Sequence, residues 1–125
     1  PGTNVWVQLA QTALESDIAD KSKFLDPSNL FKRQCAGACS FGNEIFIFGG
    51  ENPAATLLTS AAAWNPETNR VRKVKEIPAQ ILWSGGSGNA TKGINAVPVG
   101  PFIYLMGGST GSNNGTSKQI LRYRP

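Results

Sequence analysis

Two nine-residue segments of this chain follow one plan: Gly42-Asn43-Glu44-Ile45-Phe46-Ile47-Phe48-Gly49-Gly50 and Gly100-Pro101-Phe102-Ile103-Tyr104-Leu105-Met106-Gly107-Gly108. Each has a turn glycine, a short apolar run and a closing pair of glycines. Ile45 and Ile103 stand 58 residues apart, an interval of the size used by repeat architectures. The flanking segments repeat as well. Upstream lie small-residue stretches, Gln34 to Phe41 and Gly93 to Val99; downstream come stretches ending in an aromatic residue and proline, Ala61 to Pro66 and Ile120 to Pro125. Short apolar runs between turn residues predict short antiparallel strands. Two copies of them predict two small stacked sheets.

The first copy continues through the turn Glu67-Thr68-Asn69 into a strand from Arg70 to Ile77. The matching strand of the second copy is found at the other end of the sequence. Pro1-Gly2-Thr3-Asn4-Val5-Trp6-Val7-Gln8-Leu9 aligns with Pro66 to Val74, placing Thr3 and Asn4 on Thr68 and Asn69, and Trp6 on Val71. The chain reads as two nearly complete four-stranded units, with its ends falling inside one of them.

In this order the elements resemble the kelch family: a small-residue first strand, an apolar second strand ending in Gly-Gly, an aromatic residue closing the third, an Asn-Pro-x-Thr-Asn turn, and a fourth strand with Trp in one copy. The resemblance implies an all-β fold of kelch-like β-propeller blades, two four-stranded antiparallel sheets. The expected organisation is a fourth strand of an interrupted blade at 1–9, a loop or short helix at 10–32, a first complete blade at 33–78, a loop at 79–92, and a second blade lacking its fourth strand at 93–125. Thr12 to Asp20 has the residue mix of a short helix.

Residue chemistry supports the pattern. Gly49-Gly50 and Gly107-Gly108 permit positive φ and close packing where each second strand ends. Trp64, Tyr123 and Trp6 are large enough to fill the space between neighbouring sheets. Pro98 within a strand pattern marks an edge strand. The innermost strand of a propeller blade is such an edge.

Propellers close with about four to eight blades, so two blades leave apolar faces and strand edges open. The ring is completed either by other copies or by missing chain. Three copies joined head to tail give six blades in a closed homo-oligomer.

The chain contains no His, which removes Ser-His-Asp and Cys-His schemes, His-ligated zinc and the commonest neutral-pH general base. Copper oxidases similar to kelch proteins in fold need histidine ligands, so that activity does not carry over. Glu15, Asp17 and Asp20 read as a solvated face, and no carboxylate pair stands out. The loops from Ser84 to Asn89 and from Gly107 to Thr116 lack the Lys-Ser/Thr ending and the following helix of a phosphate-binding loop. No catalytic residue, metal or cofactor is implied.

Twelve Lys and Arg against eight Asp and Glu give a net charge of +4. The basic run Arg70, Arg72, Lys73 and Lys75 alternates with Val71 and Val74, as a solvated outer strand does, and argues against nucleic acid. No apolar stretch reaches the roughly 18 residues of a helical membrane span. Cys35 and Cys39, read on one strand about 13 Å apart, are too distant for a disulfide and are expected to be free and buried. Unpaired thiols favour the cytoplasm; the sequons Asn89-Ala90-Thr91 and Asn114-Gly115-Thr116 leave secretion open.

The kelch resemblance implies a scaffold that presents inter-strand loops to a protein or peptide partner. Family members carry ligand contacts at the start of the first strand, which here means Lys32, Arg33 and Gln34 in one unit and Lys92 and Asn95 in the other. Arg33 leads, because a guanidinium holds a carboxylate through two hydrogen bonds; the competing reading has it satisfying local backbone carbonyls. Two other classes stand beside this one. A glycan-binding or carbohydrate-processing propeller would use Trp83 as a stacking platform, and a structural subunit of a larger complex would have no separable ligand.

Overall fold

The computed structural model describes residues 33–68, 70–78, 92–109 and 120–125. They form two antiparallel sheets, and no helix occurs among them. The first sheet contains β1 (Gly37–Phe41), β2 (Glu44–Phe48), β3 (Ala61–Asn65) and β4 (Arg70–Val74) in sequential order. The second contains β5 (Asn95–Val99), β6 (Phe102–Met106) and β7 (Ile120–Tyr123), again in sequential order. The expected strand at 1–9, the helix-like Thr12 to Asp20 and both sequons lie outside the described residues.

Turn chemistry sets the hairpins. Gly42 and Gly100 take φ of 61° and 56° between their strand pairs, a left-handed conformation that glycine adopts without a Cβ clash. Asn65 Oδ1 accepts hydrogen bonds from the backbone N–H of Glu67 (2.9 Å) and Thr68 (3.2 Å), the side-chain turn that Asn favours. Register follows the repeat: Ile45 faces Trp64 across β2 and β3, as Ile103 faces Tyr123 across β6 and β7. Tyr123 is therefore the structural counterpart of Trp64.

The sheets pack face to face. Phe46, Phe48, Ala61, Ala63 and Val74 from the first meet Ile103 and Leu105 from the second, with Ile77 and Ile94 from the flanking segments in the same buried cluster. Tyr123 lies against two phenylalanines of the other sheet, its ring centroid 6.1 Å from Phe46 and 5.7 Å from Phe48. Alanines on β3 leave room for these rings. The segments leading into β1 and β5 also meet, since Gly93 N–H donates to Cys35 O at 2.7 Å. Pro98 sits on β5, an edge strand of its sheet, as its missing N–H requires.

Two expectations are corrected. The strand read from Gln34 begins at Gly37, because Cys35 has φ of 54° and breaks extended geometry. The two cysteines are free but not both in one strand, nor buried: Cys35 is exposed and Cys39 half-buried, so the 13 Å strand separation does not apply. Trp64 is half-buried and belongs to the row Ser40, Ile45, Trp64 and Val71, on the face turned away from the second sheet; no sheet on that face is among the described residues.

Candidate functional site

Just before the inner strands begin, a polar cluster joins the two sheets. Gln34 and Glu51 exchange backbone hydrogen bonds, each N–H donating to the other's carbonyl at 2.9 Å. Lys92 and Ser109, 58 residues further on, make the same exchange at 3.1 and 2.7 Å. The repeat therefore sets Gln34 beside Glu51 and Lys92 beside Ser109. Glu51 connects the two sets: its Oε1 accepts from Gln34 Nε2 at 3.3 Å, and its Oε2 pairs with Lys92 Nζ at 2.5 Å. Its side chain is 9% exposed and that of Lys92 40%. The hydrogen bond from Lys92 holds the Glu51 carboxyl below the usual carboxylate range, and the same bond raises the Lys92 ammonium above its ordinary value.

Arg33 is turned into the first sheet. Its Nη1 donates to Gly49 O at 2.8 Å and Ser60 O at 3.1 Å, and its Nη2 donates to Ser60 Oγ at 3.1 Å. Burial pushes its pKa below the ordinary arginine value. These bonds hold the loop following Gly49-Gly50 against the segment entering β3. That loop is closed by Asn52 Oδ1, which accepts from Ala54 N–H at 3.0 Å and Thr56 N–H at 2.9 Å.

Of the residues singled out in the sequence, the structure brings Gln34 and Lys92 together through Glu51 and directs Arg33 onto backbone carbonyls. Asn95 is exposed at the start of β5. Lys32 and Trp83 lie outside the described residues. Glu51 was not singled out. Its position immediately after Gly-Gly, matched by Ser109 after the second Gly-Gly, was the available signal.

On the outer strand, the basic run is partly neutralised. Arg72 donates to Glu44 through Nε at 2.9 Å and Nη2 at 2.7 Å, and Lys73 pairs with Glu76 at 2.6 Å. Among the described residues no group of His, Cys, Asp and Glu is arranged to hold a metal ion, and no helix is long and apolar enough to cross a membrane.

Residues 32–78 match the family model of the kelch motif, the stretch that forms the four-stranded sheet together with Arg33 and Glu51. No curated protein matches the chain. Residues 32–78 thus carry a kelch motif, and the all-β architecture of two antiparallel sheets that contains it is consistent with kelch blades.

Proposed function

We propose that this chain forms blades of a kelch-type propeller, completed by further blades from other copies or from a longer chain, that binds a protein or peptide partner. Binding is through the polar surface leading into its inner strands. The observation that carries this reading is the convergence of Gln34, Glu51 and Lys92 ahead of β1 and β5, with Asn95 exposed where β5 begins. Scaffolds place recognition groups on loops held by rigid strands, and here the backbone pairs Gln34–Glu51 and Lys92–Ser109 hold them. The Lys92–Glu51 pair offers a partner both a carboxylate and an ammonium group. Arg33 acts as a positioning residue, fixing the loop that carries Glu51.

A photo-reactive side chain tests the surface. Placed at Asn95, it is expected to cross-link a purified candidate partner, and placed at Lys75, on the outer side, it is not. Cross-linking from Lys75 alone would overturn this reading.

A further inference from the structure

In the first sheet, the arginine that lies over an aromatic ring is answered by a carboxylate. Arg72 Cζ stands 5.7 Å from the Phe46 centroid, and its Nε and Nη2 both donate to Glu44, at 2.9 and 2.7 Å. In the second sheet the repeat puts Phe102 at the place of Glu44, so that carboxylate is gone. Two guanidinium groups gather on the ring instead, with Arg122 Cζ 4.4 Å and Arg124 Cζ 5.9 Å from the Phe102 centroid. Both arginines are exposed, and among the described residues no Asp or Glu pairs with either. We propose that Arg122, Arg124 and Phe102 form a binding site for a phosphoryl dianion, free or carried on a side chain of a partner.

The strands hold this cluster in place. Tyr104 faces Arg122 directly across β6 and β7, and its ring meets that of Phe102 edge-on at 6.4 Å, which steadies the platform under the guanidinium groups. Residues two apart along a strand stand about 6.5 Å from each other, so one tetrahedral anion can accept hydrogen bonds from both. The negative face of the ring favours cations above it, but it cancels neither charge.

Charge and geometry select a phosphoryl group over a carboxylate. A carboxylate fills one guanidinium fork and cancels one charge, as Glu44 does for Arg72. A phosphoryl group carries a charge of about −1.5 to −2 at neutral pH and three strong acceptor oxygens, enough for two forks. The net charge of +4 on the chain favours the approach of any anion.

The site lies beside the Gly100 turn, whereas Lys92 and Asn95 stand at the opposite end of the same strands. It is therefore separate from the partner surface proposed above. A further blade packed on this face would leave it reachable. Glu44 and Asn65, the repeat counterparts of Phe102 and Arg124, remain partly exposed although the second sheet covers that side of the first.

Titration of the full chain at constant ionic strength, followed through backbone amide NMR signals, tests the site with two probes, inorganic phosphate and a capped phosphoserine peptide. Saturable shifts at Phe102, Arg122 and Arg124 are expected, with binding about tenfold weaker in Arg122→Gln/Arg124→Gln and also weakened in Arg124→Gln alone, a change beyond the end of β7. Affinity is expected to fall as pH drops below the second phosphate pKa of about 6. Tighter binding of the phosphoserine peptide assigns the site to a modified partner, and equal or tighter binding of inorganic phosphate assigns it to the free ion. The amide spectrum of each variant verifies that the sheets are retained. No saturable shift with either probe, equal shifts with acetate, or unchanged affinity in the folded variants would each overturn the proposal. None of these results depends on cross-linking at Asn95.

Discussion

Lys92, ahead of the second sheet, and Glu51, after β2 of the first, form an ion pair, Nζ to Oε2 at 2.5 Å, so one carboxylate ties together the two sheets. Glu51 titrates below its ordinary value of 4.5, chiefly because of the Lys92 hydrogen bond. Its stabilising contribution is therefore complete above about pH 4.5 and is lost as pH falls through the lower folded-state value. Lys92, raised above 10.5 by the same bond, contributes fully below that value and loses its contribution as pH rises through the higher one. Thermal melting at fixed protein concentration is expected to decline on acidification, with a shallower decline in Glu51→Gln. An unchanged slope in that variant would show that the pair does not couple stability to pH.

At Gly37, β1 passes close to Ile94, the residue before β5. A Cβ at this position would meet Ile94 Cγ2 at 2.6 Å and Ile94 O at 2.9 Å. Gly37→Ala is expected to destabilise by about 1–3 kcal/mol through overpacking, measured by denaturant unfolding, and to loosen β1 from β5. A neutral result would mean that the two sheets separate easily at their inner edges.

Cys35 occupies the same repeat position as Gly93, and both have positive φ, 54° and 70°. A non-glycine residue there costs about 1–2 kcal/mol, partly offset by the greater unfolded-state freedom of glycine. Cys35→Gly is therefore expected to range from neutral to about 1 kcal/mol stabilising, and Cys35→Val to destabilise, because β-branched residues fit this region poorly. Denaturant midpoints of the two variants provide the comparison.

These positions also explain what the sequence could reveal. Strands β2 and β6 were legible because apolar residues and the Gly-Gly pairs recur in order, and Gly49, Gly50, Gly107 and Gly108 all adopt the positive φ that those pairs suggested. The edge position of β5 was legible from Pro98. The late start of β1 was not, because Cys35 carries none of the composition signal that Gly93 gives at the equivalent turn. Nor was Glu51: its bond to Lys92 joins residues distant in sequence, and only packing of the two sheets brings them together. Arg33 was singled out by residue type. Its bonds to Gly49 O and Ser60 O depend on how the loop folds back, which single-residue chemistry does not specify.

Arg33→Ala removes three hydrogen bonds and leaves the carbonyls of Gly49 and Ser60 without that donor. Bonds to charged groups contribute about 1.5–3 kcal/mol, and a loss in that range is expected by chemical denaturation. Arg33→Lys should recover less than half, since an ammonium does not reproduce the planar fork. Full stability in Arg33→Ala would remove its positioning role.

The central claim is that these two blades are part of a ring completed by further blades. Native mass measurement of the 13.3 kDa chain tests it most directly. Where other copies supply those blades, the account predicts a closed assembly, three copies being the number that gives six blades, within the usual four to eight. A cooperatively folded species with the mass of a single chain would contradict it.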